Sequence, residues 1–401
     1  MKIGIDARLW DESGVGRYIR NLVKWLGRLD QKHEYILFLK KKEFTNYQLP
    51  ITNYQFKKVL ADIRWHSIEE QFLLPKILNK EKLDLVHFPY FSIPVLYQRP
   101  FVVTIHDLII NHFPTGQAST LPQPIYLFKR FGHHFVLNQA VQKSKKIIVP
   151  TKATKKEILD HFKVSKEKIA VTHEGVSEKI KKTGQSLNLL KGLSWKMNQK
   201  TILENEFFLY VGNAYPHKNL ERLLRAFLKL KTQNSKLVPL VKPLATHSKT
   251  ITKSLKLILV GKEDYFYKRL KKEAKEMGLL NQVIFYGQAN DEELCWLYKN
   301  ARALILPSLM EGFGLPALEA MSCGCLVLAS DTPALKEVCG EAAIYFNPDN
   351  VESIKDGIER TICLNDSNHL NKIKKGKEQA KKFSWRKMAE ETLKIYESCL
   401  F

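Results

Sequence analysis

The feature that most restricts the fold is an alternation of short apolar runs with segments of helical period, and the alternation restarts near residue 207. Residues 2–7, 35–39, 84–88, 101–105 and 146–149 read as buried strands. Residues 18–29 and 67–78 read as helices, the second from the spacing of Ile68, Phe72, Leu73 and Ile77. Residues 207–211, 255–260, 283–286 and 303–306 repeat the strand pattern. Between them Asn219 reads as the cap of a helix with Leu220, Leu223, Leu224, Phe227 and Leu230 on one face. Strands separated by helices pair in parallel, because a parallel connection must cross the sheet and the crossing helix covers one face. The expectation is an α/β chain of two successive parallel-sheet domains joined in the polar stretch 175–205. The doubled Thr-Asn-Tyr-Gln at 45–48 and 52–55 reads as a local loop or hairpin, and the lysine-rich 231–256 as a surface insertion.

Size and charge narrow the classes. A chain of 401 residues with 44% hydrophobic residues has enough apolar surface for two cores. No run approaches the ~20 uncharged apolar residues of a spanning helix. The first ten residues hold Asp6 and Arg8 where a signal peptide needs an apolar stretch. A soluble, cytoplasmic protein is expected. The six cysteines all follow residue 290 and form neither a disulfide framework nor paired metal-ligand spacing. The net charge of +23 is concentrated in the first half of the chain. Such an excess implies an anionic partner, whether nucleic acid, acidic membrane or phosphorylated substrate, and part of it is simply a solvated lysine-rich surface.

Open parallel sheets bind ligands beyond the carboxyl ends of their strands, and four loops there carry distinctive residues. Ser13-Gly14-Val15-Gly16-Arg17-Tyr18 is a glycine turn opening a helix, where backbone N–H groups can approach a phosphate. It lacks the third glycine and the later acid of a dinucleotide fingerprint. The loop from Gly212 and Asn213 to Asn219 brings Lys218 beside a helix N-terminus. Pro307-Ser308-Leu309-Met310-Glu311-Gly312-Phe313-Gly314-Leu315-Pro316 opens a third helix, which carries Glu319 and stops at Gly324. Its paired glycines leave N–H donors around 313–315 for an anion, with one carboxylate in the loop and one a turn into the helix. His106 and Asp107 sit at the exit of a first-half strand.

These residues resemble retaining nucleotide-sugar glycosyltransferases of family 4, which have the two-domain GT-B fold. The segment Glu311 to Met321 and the closing Phe383-Ser384-Trp385 carry the likeness most specifically. Gly4 to Arg8, the Gly14–Tyr18 turn, Thr104 to Leu108, Lys218-Asn219 and Gly261-Lys262 are similar to a bacterial mannosyltransferase-like subgroup. The resemblance implies two Rossmann-like domains facing across a cleft. An acceptor-binding domain would span 1–190 and a nucleotide-sugar domain 200–384, with the 385–401 helix crossing back. It implies Glu319 on the ribose and Glu311 on the donor sugar. Lys218, Gly16 and residues 313–315 would hold the diphosphate, and His106 would lie near the reacting sugar, so His106, Glu311 and Lys218 would carry the chemistry. Gly14, Gly16, Gly212, Asn213, Lys218, Ser308, Gly312, Phe313, Gly314, Leu315 and Glu319 form the implied donor set, and Arg17, Tyr18 and Asp107 the acceptor side. Where many members carry arginine, this chain has Asn213 and His217.

Breaking the sugar–diphosphate bond puts negative charge on the leaving group, which fixed N–H donors and Lys218 would stabilise. The sequence has no Asp-x-Asp motif, so neither metal nor cofactor is expected. The expected donor is a GDP- or UDP-sugar, with GDP-mannose favoured by the subgroup and the loop 287–292 as the base edge. The expected acceptor is a lipid-linked or growing glycan. Residues 126–146, with Phe128, Lys129, Arg130, Phe131 and Phe135, either rest on an anionic inner membrane or form an ordinary helix with a basic outer face. Rival readings are a nucleotide-sugar epimerase and a nucleic-acid-binding protein. The second lacks a recognisable basic and aromatic module, and no nucleic-acid partner is expected.

Overall fold

The computed structural model describes residues 1–12, 14–46, 55–113, 123–178, 180, 206–233 and 255–399. Ser13, the repeat over 47–54, most of the joint at 181–205 and the insertion over 234–254 lie outside the described residues. The chain forms two compact units: Met1–Gly175 with Ser384–Phe401, and Val176–Phe383. The change of unit comes at residue 176 because Val176 and Ile180 already pack into the second core.

The first unit is built on β1 (Lys2–Asp6), β2 (Glu34–Leu39), β3 (Phe56–Leu60), β4 (Leu85–Phe88), β5 (Phe101–Thr104), β6 (Lys146–Val149) and β7 (Ile169–Val171). Their order is β3-β2-β1-β4-β5-β6-β7, all parallel. The order reverses between β1 and β4, and this is where an open sheet leaves a crevice. Strands buried on both faces read as continuous apolar runs, hence Ile-Ile-Val at 147–149 and Phe-Val-Val at 101–103. β3 escapes the sequence reading because it is an edge strand interrupted by two lysines, Lys57 exposed and Lys58 half-buried with its ammonium on Phe44 O.

The helix Ile68–Lys80 corrects the expected face. Ile68, Phe72 and Leu73 are exposed, and the buried residues are Glu70, Leu74, Pro75 and Leu78. The inward acid is neutralised: Arg8 Nη2 donates to Glu70 Oε1 at 2.6 Å and to Asp6 Oδ2 at 2.7 Å. A buried charge needs such partners, and here they hold the helix against the end of β1.

The final helix, Trp385–Ser398, packs in the first unit beside Gly14–Leu29 and buries Trp385, Met388 and Tyr396. Its Tyr396 hydroxyl lies 2.6 Å from His87 Nδ1, and His87 Nε2 lies 2.8 Å from Thr104 Oγ1. Burial pushes the His87 pKa down to about 3, so the ring is neutral and serves this network as both donor and acceptor.

The second unit contains β8 (Phe207–Val211), β9 (Lys256–Val260), β10 (Val283–Gly287), β11 (Ala303–Leu306), β12 (Val327–Ser330) and β13 (Ile344–Phe346). Their order is β10-β9-β8-β11-β12-β13, again all parallel, with the reversal between β8 and β11. One continuous core of aliphatic and aromatic residues fills this unit. Each fully buried Leu or Ile contributes roughly 1.5–3 kcal/mol relative to exposure.

Candidate active site

The reversal of strand order in the second unit brings together the loops after β8 and β11. β8 leads into Gly212, whose φ of +153° and close approach to the Tyr210 ring suit glycine. The chain then turns through a short 3-10 segment, Pro216–Lys218, and Asn219 adopts a left-handed conformation with φ of 62°. Asn219 was expected to cap the following helix with its side chain. It instead donates to Pro307 O at 2.9 Å and Pro348 O at 2.8 Å, and accepts from Arg222 at 2.9 Å. With Leu309 N donating to His217 O at 2.8 Å, the two loops are sewn together.

That stitching sets Lys218 against Glu311. Lys218 Nζ donates to Glu311 Oε1 at 2.8 Å, and Ser308 Oγ donates to the same oxygen at 2.7 Å. Burial opposes ionisation of Glu311, and the charge and hydrogen bond of Lys218 with that of Ser308 outweigh it. Its carboxyl therefore stays below the usual carboxylate range. The neighbouring His217 is pushed down to about 4 by burial and then by Lys218, so its ring is neutral at neutral pH.

The helix Leu315–Cys323 starts immediately beyond. Gly314, at φ of 92°, occupies the N-cap, Pro316 lies in the first turn, and Gly324 at φ of 80° ends the helix, as the sequence implies. A side chain at Gly314 would meet Leu335 as well as strain the backbone. Phe313 is buried, packing edge-on against Phe383 at 5.7 Å between centroids. Glu319 faces inwards and is 2% exposed, with Tyr298 donating its hydroxyl to Oε2 at 3.3 Å. In the same unit Gly261 presses on the Gly212 turn so closely that a Cβ there would lie 2.1 Å from Gly212 O.

In the first unit, His106 follows β5 and both its ring nitrogens are engaged. Nδ1 lies 3.2 Å from Glu174 Oε1 and Nε2 lies 3.0 Å from Pro89 O. Burial lowers the pKa of this ring, but the bond and charge of Glu174, then Asp107 and the Pro89 carbonyl, raise it above the ordinary histidine value. The resemblance places Tyr18 on the acceptor side, and in the structure its ring lies inside the first unit. It is 1% exposed, stands edge-on to His106 at 5.0 Å and lies 3.2 Å from Thr104 Oγ1, so it supports the histidine from beneath. Asp107 Oδ1 accepts from Ile109 N at 3.0 Å and opens the short helix Ile109–His112. Gly14 and Gly16 lie in the first turn of the helix Gly14–Leu29. Gly16 is a packing glycine, since a Cβ there would lie 2.3 Å from Trp10 O, whereas Gly14 is exposed. Among the described residues no cluster of three or more His, Cys, Asp or Glu could hold a metal.

Two family models match the chain. One, described as Glycosyltransferase Family 4, matches residues 13–179, and the other, Glycosyl transferases group 1, matches residues 195–382. The chain belongs to glycosyltransferase family 4. This hexosyltransferase is 28% identical to O-antigen chain mannosyltransferase B of Escherichia coli across 96% of each chain. It superposes on sucrose-phosphate synthase from Thermosynechococcus elongatus with a TM-score of 0.72 and 17% identity, covering 99% of this chain and 98% of the other. Against Anabaena HepE in complex with UDP and glucose the TM-score is 0.68 at 17% identity, covering 99% and 100% of the chains. At such identities the likeness carries the fold, which is GT-B. The sequence expectation of a transferase, rather than an epimerase or a nucleic-acid binder, is met.

Within the transferase, Gly212, Asn213, Lys218, Ser308, Glu311, Gly312, Phe313, Gly314, Leu315 and Glu319 all lie on the two adjoining loops or the helix they open, in the second unit. Gly14, Gly16, Arg17, Tyr18, His106 and Asp107 lie in the first unit. Sequence reasoning missed Glu174 and Tyr298. Glu174 had one available signal, its place in His173-Glu174-Gly175 directly before the polar joint. Tyr298 had none, because it reads as one more apolar residue of a core helix.

Proposed function

We propose that this enzyme transfers mannose from GDP-mannose to a growing or lipid-linked surface glycan, with retention of configuration and without a metal ion. The observation that carries the reading is the pairing of Lys218 with Glu311 at the point where strand order reverses in the second unit. It offers a cation for a diphosphate, a carboxylate for sugar hydroxyls and a helix N-terminus in one place. The choice of mannose rests on the likeness to O-antigen chain mannosyltransferase B.

The reaction breaks the bond between sugar C1 and the diphosphate oxygen and forms one between C1 and an acceptor oxygen, while the acceptor proton passes to the leaving phosphate. Lys218 and the amides at the start of the 315–323 helix meet the charge that grows on the leaving group. Glu311, held ionised, takes sugar hydroxyls and stabilises positive charge as C1 opens. Glu319 takes the ribose hydroxyls, with Tyr298 fixing its carboxylate. The acceptor belongs to the first unit.

That unit also supports docking at an acidic membrane face. Ile68, Phe72, Phe131 and Phe135 are exposed, with Lys129 and Arg130 beside the last two. Anionic vesicles should bind the enzyme and release it as salt rises, because such charges are screened within about 8 Å at physiological ionic strength. Equal binding to neutral vesicles would remove this part of the reading.

The donor is tested by incubating the purified enzyme with GDP- and UDP-sugars and a lipid-linked glycan, following nucleotide release and the anomeric configuration of the product by NMR. Acceptor-dependent release of GDP from GDP-mannose, an α-linked product and full activity in EDTA are expected. Release from UDP-sugars alone, or an inverted product, would refute it.

A further inference from the structure

The fold of the second unit brings together two cysteines that stand 28 residues apart in the chain. Cys295 lies on the helix Asp291–Asn300, and Cys323 is the last residue of the helix Leu315–Cys323. Both are buried, and the Cys323 thiol donates to Cys295 Sγ with the sulfurs 3.6 Å apart. The same two helices meet a second time where the Tyr298 hydroxyl donates to Glu319 Oε2 at 3.3 Å. Tyr298 follows Cys295 by three residues and Cys323 follows Glu319 by four, so each pair lies on one helix face about a turn apart. The thiols and the Tyr298–Glu319 contact are two rungs between one pair of helices.

We propose that Cys295 and Cys323 form an oxidation site, closed to a disulfide by hydrogen peroxide and reopened by a dithiol, and that closure weakens donor binding by displacing Glu319. The effect on the donor rests on the reading of Glu319 at the ribose. Formation of the bond does not.

The contact polarises the two sulfurs. Accepting the Cys323 hydrogen bond lowers the pKa of the Cys295 thiol, against burial and with help from Lys299. Cys323 moves the other way, raised by the same bond and then by burial. The thiolate is the form that reacts, so Cys295 attacks the oxidant and Cys323 resolves. The neighbouring core thiols are unlike this pair. Cys325 and Cys339 are each pushed up to about 12 by burial and stay protonated.

In the first step the Cys295 sulfur attacks one peroxide oxygen and the O–O bond breaks. The other oxygen leaves as hydroxide and becomes water with the Cys295 proton. The Cys323 sulfur then attacks the sulfenic acid on Cys295, forming the S–S bond and breaking the S–O bond, and the oxygen leaves as water with the Cys323 proton. Two thiols lose two electrons and two protons, and one peroxide becomes two waters. A dithiol returns both by exchange and ends as its own cyclic disulfide.

Closure takes the sulfurs from 3.6 Å to a bond of about 2.05 Å, an approach of about 1.5 Å. Leu297 and Leu318 on these helices are fully buried. A close-packed core leaves side chains little room to absorb the movement, so part of it passes to the helix backbones. Glu319, one turn from Cys323, moves with its helix. Misplacing a binding group by about 1 Å can cost up to about a hundred-fold.

The test uses the full chain. Reduced protein is treated with hydrogen peroxide, the remaining thiols are alkylated, and the peptides are mapped by mass spectrometry before and after dithiothreitol. The peptides holding Cys295 and Cys323 should be joined, two hydrogens lighter than the separate pair, and should part on reduction. Donor KM should rise about ten-fold or more on oxidation and return with dithiothreitol. Cys295→Ala and Cys323→Ala should each keep the reduced KM and lose the response. Cys363→Ala, which removes an exposed thiol, should retain it. In Glu319→Gln oxidation should add little, because the carboxylate it displaces is already gone. Absence of the 295–323 link, or a full response in both Cys295→Ala and Cys323→Ala, would overturn the site. A link that forms without a change in KM, in an enzyme whose KM does rise in Glu319→Gln, would overturn its coupling to the donor. An unmoved KM in Glu319→Gln would overturn the ribose reading, and the donor effect with it, while the mapped disulfide stands on its own.

Discussion

Lys218 and Glu311, 93 residues apart in sequence, share a hydrogen-bonded ion pair of 2.8 Å that joins the two loops at the strand-order reversal of the second unit. Neither loop would hold this geometry alone. The pair is largely shielded, with side-chain exposures of 16% and 11%, and Ser308 donates to the same carboxylate oxygen. Removing one partner leaves the other charge poorly solvated and costs more than an exposed pair would.

The first prediction is a non-additive pair of lesions. Glu311→Gln should lower kcat far more than it changes donor KM, because its carboxylate faces charge that grows only in the transition state. Lys218→Met should lower kcat/KM by roughly ten- to hundred-fold, the worth of a charged hydrogen bond. The double variant should be less impaired than the product of the two, with a coupling of about 0.5–3 kcal/mol. Steady-state kinetics on the four proteins measures it, and independent effects would show that the pair does not act as a unit.

The second prediction concerns pH. The folded Glu311 pKa lies below its ordinary value of 4.5, since Lys218 and Ser308 outweigh burial. A depressed carboxyl contributes stability that is complete above the unfolded pKa and disappears as pH falls through the folded one. The wild type should therefore exceed Glu311→Gln in stability near pH 7, and the gap should close as pH falls below 4.5. Urea unfolding of both proteins across this range measures it. A constant gap would mean that the charge of Glu311 is not what its neighbours stabilise.

The third prediction separates Glu319 from Glu311. Glu319 meets a part of the donor that does not change during reaction, so Glu319→Gln should raise donor KM more than it lowers kcat. Tyr298→Phe removes the hydroxyl that donates to Glu319 and should raise KM in the same direction by less. Collapse of kcat in Glu319→Gln, with KM unmoved, would place Glu319 at the reacting centre.

Much of this architecture is legible in residue order because it follows from periodicity and backbone chemistry. Apolar runs such as 207–211 and 303–306, alternating with helical segments, suit a covered parallel sheet, and Gly314 and Gly324 bracket a helix because both take left-handed backbone. The residues that escaped have roles set by distant partners. Asn219 looks like a cap, yet its amide is drawn to carbonyls at 307 and 348, which no local pattern reveals. Tyr18 follows the glycine turn, and nothing in that local pattern reveals that its ring packs edge-on against His106. The face of the helix Ile68–Lys80 was misread because Arg8 makes a buried Glu70 acceptable, leaving Ile68 and Phe72 outside. Spacing reports hydrophobicity, and here an ion pair decided which side turned inwards.

The last prediction tests whether the donor loop depends on contact between backbones rather than on its charged side chains. Gly261 follows β9, and a Cβ at this position would lie 2.1 Å from Gly212 O and within 2.4 Å of the Tyr267 hydroxyl. That hydroxyl donates to the same Gly212 oxygen at 2.8 Å, so no flexible side chain is free to yield. Gly261→Ala must therefore push the 212 turn out of place, and with it the 3-10 segment that sets Lys218. Donor KM should rise by ten-fold or more, about the loss of a charged contact, although no charged residue has changed. Gly132→Ala is the control. Among the described residues nothing outside the backbone of its own helix Gln123–Lys143 and its chain neighbours lies within 4 Å of its added methyl, and alanine there should add roughly 0.5–1 kcal/mol of stability without altering KM. Donor titrations and urea unfolding on both variants give the comparison. An unaltered KM in Gly261→Ala would mean that the turn at Gly212 tolerates displacement and that Lys218 reaches the diphosphate without it.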